Sequence, residues 1–100
     1  MAELARIGDL AQGICRAHPT PVEFTATFTT GSGTLGSDGA GLVRVGDIGH
    51  TDCGHTIVAL AGSDVLLADG IGLVRVGDPV AVQEGGEGVV VSGSEIVKDA

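Results

Sequence analysis

The chain has no tryptophan, no tyrosine and only two phenylalanines, Phe24 and Phe28. Its core must therefore be assembled from small aliphatic side chains, chiefly Val. A small domain of that kind often needs a staple such as a disulfide or a metal. Basic residues are scarce: 5 Lys and Arg face 13 Asp and Glu, for a formal net charge of -8. That balance argues against nucleic acid, and against an anionic membrane surface, because both require clustered Lys and Arg. Long apolar runs are missing too. The stretch Ile57 to Ala61 is strand-sized, far short of the ~20 apolar residues of a membrane helix. Near the N-terminus, Glu3, Arg6 and Asp9 stand where a secretory signal would carry its apolar core, so the chain is expected to be made in the cytoplasm. Cysteine occurs only twice, as Cys15 and Cys53. The two could form one bridge in an oxidising compartment, but beside histidines in the cytoplasm they read better as metal ligands.

What is present is glycine, 18 of 100 residues, and a hydrophobic share of 43%, too high for a disordered acidic tail. Tight turns and little helix follow from the glycine. The chain also repeats itself. Gly41 to Asp47 reads GLVRVGD, Gly72 to Asp78 reads the same 31 residues later, and Leu4 to Asp9 is a weaker copy, LARIGD. A second marker keeps the step: Gly31-Ser32, Gly62-Ser63 and Gly93-Ser94, again 31 apart. Asp47 to Gly62 and Asp78 to Gly93 both span 15 positions, whereas Asp9 to Gly31 spans 22, so the first unit carries seven extra residues (22 − 15) around Cys15, His18, Pro19 and Pro21.

Phe24 to Phe28 alternates with period two, and Thr56 to Leu60 and Gly88 to Val91 are short runs rich in β-branched residues, all strand signals. Further short strands are expected at Thr34-Leu35, Val65 to Ala68 and Ile96-Val97. Leu10 to Arg16 is a weak helical candidate, undermined by Gly13. The reading is one all-β domain over residues 1–100, built of three short β-hairpin repeats at about 4–40, 41–71 and 72–100. No repeat can bury its apolar face alone, so the three must share one core. Each R-x-G-D string reads as a structural turn: Gly8, Gly46 and Gly77 permit unusual backbone angles, Asp9, Asp47 and Asp78 accept N–H bonds, and Arg6, Arg44 and Arg75 offer the opposite charge.

Three R-x-G-D units with Gly-Ser between them, and Cys and His in the loops after the Asp, resemble the PAAR-repeat proteins over Leu4 to Val97. These are the small spike-tip proteins of phage tails, type VI secretion and related contractile injection machines. The family's name-giving Pro-Ala-Ala-Arg falls on Gly41-Leu42-Val43-Arg44 and Gly72-Leu73-Val74-Arg75, where only the Arg is kept. The resemblance implies a small cone or three-sided pyramid of pseudo-three-fold symmetry, stapled by a metal near its tip. It implies one copy docked by its base on the blunt end of a trimeric β-helical spike, a piercing role with transient contact with the target membrane, and no enzyme activity. The base is expected near Thr34, Val65 and Ile96, and Thr51 is expected to be exposed at the point. The chain stops soon after its last strand, so no C-terminal toxin domain is expected. A free-standing zinc-binding adaptor, without a spike partner, is the competing reading; a β-solenoid acyltransferase would need many more short repeats.

The candidate ligands are Cys15, His18, His50, Cys53 and His55, which exhaust the chain's Cys and His. Cys15 and Cys53 each lie six residues after their Asp, His18 nine and His55 eight. Two loops thus each offer a Cys–His pair, which suits the four-ligand tetrahedron of structural zinc, with iron as the alternative. Loop equivalence favours Cys15, His18, Cys53 and His55. The resemblance implies three His and one Cys, so His50 competes with Cys15 for the fourth position. A Cys15–Cys53 disulfide and a catalytic Cys–His pair are the other uses these residues could have. The third loop holds Glu84 and Glu87, expected to be solvated.

Overall fold

The computed structural model describes residues 2–33, 36–37, 40–68, 70–93 and 98–99. These form strands and turns, with no helix among them. The strands are β1 (Ala2–Glu3), β2 (Leu10–Cys15), β3 (Val22–Phe28), β4 (Gly36–Ser37), β5 (Ala40–Gly41), β6 (Ile48–Thr51), β7 (Thr56–Ala59), β8 (Leu67–Ala68), β9 (Ile71–Gly72), β10 (Pro79–Val82), β11 (Gly86–Val90) and β12 (Lys98–Asp99). Six of them close an antiparallel barrel in the order β10-β11-β2-β3-β6-β7. The short strands pair separately, as β1 with β12, β4 with β5 and β8 with β9. Closure leaves the six barrel strands without an open edge. The molecule is elongated, 39 × 22 × 22 Å.

The apolar runs at Phe24–Phe28, Thr56–Leu60 and Gly88–Val91 fall on β3, β7 and β11. The strands they pair with had weaker signals. Leu10 to Arg16, the helical candidate, is strand β2 over Leu10–Cys15, and each of its residues pairs with one on β3. Ala11 and Cys15 are buried and Gln12 is exposed, so the barrel imposes a period of two where the composition is ambiguous. Of the expected short strands, Leu67-Ala68 forms β8, whereas Val65 is not in a strand. Thr34-Leu35 and Ile96-Val97 lie outside the described residues.

The R-x-G-D segments sit where each hairpin begins and ends. Gly8, Gly46 and Gly77 have φ of 97°, 92° and 94°, which costs other residues free energy. Their N–H groups donate to the carbonyls of Phe28, Ala59 and Val90, at the ends of β3, β7 and β11. In each segment the Asp carboxylate accepts from the main-chain N–H of the Arg three positions before it and from that Arg's Nε, at 2.7–3.2 Å. The residues before the Arg close a cycle: Ala5 N–H donates to Val74 O, Val74 N–H to Val43 O and Val43 N–H to Ala5 O, each at 2.9 Å. All three side chains are buried in the main core with Phe24, Phe28 and Ile57. The preceding residues, Leu4, Leu42 and Leu73, form a second buried cluster with Ala68.

Neighbouring hairpins are tied by a hydroxyl. Thr30 Oγ1 donates to Asp47 Oδ1 and accepts from the Ile48 N–H, and Ser92 Oγ does the same for Asp9 and Leu10. At the third junction the corresponding residues are Ala61 and Pro79. One lacks the hydroxyl and the other lacks the N–H, so neither leaves a polar group orphaned there.

Burial by itself would raise the Asp47 carboxyl. The Arg44 side chain and N–H and the Thr30 hydroxyl outweigh it and hold the group below its ordinary value. A depressed carboxyl gives stability that is fully present above the unfolded-state pKa and is lost as pH falls through the folded-state one. The urea midpoint should therefore fall on acidification below about pH 4. Asp47→Asn should start lower at neutral pH and show a shallower acid limb. An equal slope in both proteins would mean that Asp47 is not a source of the acid sensitivity.

Candidate metal centre

Each hairpin of the barrel runs from its R-x-G-D segment to a turn at the far end. The β2–β3 turn follows Cys15 and contains His18, and the β6–β7 turn contains Cys53 and ends on His55. Barrel closure brings these turns together. Ligand atoms of Cys15, His18 and Cys53 lie within 4.8 Å of one another, and the three could hold a metal ion. A tetrahedral ion with bonds of about 2.0–2.3 Å needs donors about 3.3–3.8 Å apart, so the three stand near the spacing that an ion requires.

Cys15 is fully buried at the end of β2, paired with Val22 on β3 and Gly86 on β11. Burial pushes its thiol up, the Ala17 N–H opposes the rise, and Cys53 and then Glu84 add to it. A metal takes the thiolate, so binding must displace that proton. Cys53 is held by Thr51, whose Oγ1 lies 3.1 Å from its sulfur. The same oxygen accepts the His55 N–H at 2.8 Å, which fixes the turn on which both candidate ligands ride. Thr51 is thus buried rather than exposed at the point, because its position on β6 faces inward. Both cysteines are free thiols.

His18 supplies the most direct test of fit. Its Nε2 is buried and has no hydrogen-bond partner. An orphaned buried nitrogen costs about 1–3 kcal/mol, which a bound cation would offset. The donor set, two thiols and an imidazole, is that of zinc and iron–thiolate sites. The group therefore suits a metal ion in its chemistry and in its one unsatisfied atom.

The other two candidates do not belong to this group of three. The His55 ring meets His18 edge to face, with centroids 5.0 Å apart, and its Nδ1 is 3.2 Å from Glu84 Oε1. His50 is exposed on β6, between buried Gly49 and Thr51, so strand alternation turns it outward. The third turn contributes more than expected: Glu84 is half-exposed yet reaches His55, whereas Glu87 pairs at the surface with Arg16 at 2.6 Å. Exposed pairs of the second kind add little stability. Thr51 and Glu84 were not legible as site residues, since Thr is not a usual zinc ligand and the Glu84 carboxylate reads as solvated. For Glu84 the only signal is that a third equivalent turn must end beside the other two.

Fold and site together define a small all-β barrel bearing a Cys–His–Cys group able to hold a metal ion at its turn end. No family model and no curated protein sequence matches the chain.

Proposed function

We propose that the chain is a spike tip: one copy caps the blunt end of a trimeric β-helical spike and leads it through a target envelope. The observation that carries the reading is the cycle of hydrogen bonds joining Ala5, Val43 and Val74. The cycle joins the residues next to the three R-x-G-D segments of one chain, and a hairpin follows each segment. A single polypeptide so arranged offers pseudo-three-fold faces to a trimer, as the resemblance to PAAR-repeat proteins implies. The elongated shape and the gathering of Cys15, His18 and Cys53 at the turn end support a narrow, metal-stapled point. Zinc is the ion proposed, with iron as the alternative, and His55 as the fourth ligand. The particle is a phage tail, a type VI secretion apparatus or a related contractile machine, and contact with the target membrane is transient. No catalysis is required for the role.

The base is the end away from the turns, where β8 and β9 pair. Val65, Leu67 and Leu60 are 79%, 51% and 53% exposed there and nearby, apolar surface that is costly in water and suited to an interface. Mixing the protein with a trimeric β-helical spike should give a complex of one copy per trimer by native mass spectrometry. Val65→Asp with Leu67→Asp should weaken it by at least about tenfold, the effect of some 1.4 kcal/mol, with metal content unchanged. Thr20→Asp, at an exposed position in the β2–β3 turn, should bind like the parent. Loss of binding in the turn variant alone would invert the orientation. A protein that stays monomeric with metal bound would instead support a free-standing zinc-binding adaptor.

A further inference from the structure

The third turn carries no Cys or His, yet it reaches the metal centre. Glu84 lies between β10 and β11, and its Oε1 is 3.2 Å from Nδ1 of His55. We propose that Glu84 is a positioning residue of the centre: it accepts the Nδ1–H of His55 and so presents Nε2 of that ring to the ion. The inference rests on the metal reading of Cys15, His18 and Cys53.

A neutral imidazole has one N–H and one lone pair. A carboxylate at Nδ1 selects the tautomer whose lone pair is on Nε2, the form that ligates a metal. The spacing of the two rings agrees. Two imidazoles sharing a tetrahedral ion, with bonds of about 2.0–2.1 Å, have centroids about 5 Å apart. His18 and His55 stand at 5.0 Å. The carboxylate oxygen lies within ion-pair distance of the imidazole nitrogen, and the Glu84 side chain is 47% exposed, as a group at the rim of the centre would be. Its contact ties the third hairpin to an ion otherwise held by the first two.

The test compares zinc affinity, by competition with a chromophoric chelator, and the visible spectrum of the cobalt-loaded protein for the parent, Glu84→Ala, Glu84→Gln and His55→Ala. Glu84→Ala should keep one ion per chain but bind it about 10–100-fold more weakly. Its cobalt spectrum should remain four-coordinate with both thiolates. Glu84→Gln should recover part of the loss, because its amide oxygen can still accept the Nδ1–H. His55→Ala should change the cobalt band by removing a ligand. Parent-like affinity in Glu84→Ala would overturn the inference, as would a cobalt band altered in the same way by Glu84→Ala and His55→Ala, which would make Glu84 a direct ligand. A parent protein that takes up neither ion would overturn the metal reading itself, and the inference with it.

Discussion

Chelation should lower the melting temperature of the metal-loaded protein by about 10–20 °C, if the net loss is two to three kcal/mol in a domain of this size. The expectation follows from what the core lacks. Its buried apolar members are mostly Ala and Val, with Phe24 and Phe28 the only aromatics. An ion held by Cys15, His18 and Cys53 joins the β2–β3 and β6–β7 turns, and its binding free energy adds to folding because the unfolded chain has no such site. Cys53→Ser should reproduce the fall, since Cys53 is only partly buried and its loss leaves little cavity. Cys15→Ser should cost more, because that side chain is also fully buried. Both variants should be insensitive to chelator. Elemental analysis of the parent, purified without chelator, should give one zinc or iron per chain. A parent whose melting is unmoved by chelator would remove the staple from the account of stability.

The periodic features of the fold were legible because each has a local cause. The R-x-G-D strings are visible because a left-handed glycine and an Asp accepting two bonds from its own Arg are short-range requirements. Strands β3 and β7 are visible because they are rich in β-branched or aromatic residues. Strand β2 was not, since Leu-Ala-Gln-Gly-Ile-Cys has no preference strong enough to decide, and its neighbours on both sides impose the extended form. The site divides in the same way. Cys15, His18 and Cys53 are conspicuous by residue type. The outward turn of His50 required the register of β6 against β3 and β7, because one residue of slip would have reversed it. Thr51 and Glu84 act through contacts that only closure of the barrel creates.

Gly13→Ala should be the most damaging single substitution in the barrel wall. Gly13 lies opposite Phe24 on β3 and Gly88 on β11. A Cβ added there would stand 2.1 Å from the Glu87 carbonyl oxygen and 2.4 Å from the Gly88 Cα, both main-chain atoms. Main chain cannot rotate away as a side chain can, so β2 and β11 would have to part. That would break their ladder and shift Cys15, two positions along β2 and paired with Gly86. Overpacking of a tight interior typically costs about 1–3 kcal/mol, and a clash with backbone on a sheet ladder belongs at or above the upper end. Against a total of about 5–15 kcal/mol for a small domain, such a loss is severe. Gly33→Ala is the control: its added Cβ meets nothing within 4 Å, and its φ is not positive. The expected result is a low-melting or poorly folded Gly13→Ala protein with weakened metal binding, beside a Gly33→Ala protein within about 0.5 kcal/mol of the parent. Equal stability of the two variants by urea unfolding would show that β2 and β11 do not pack as closely as described.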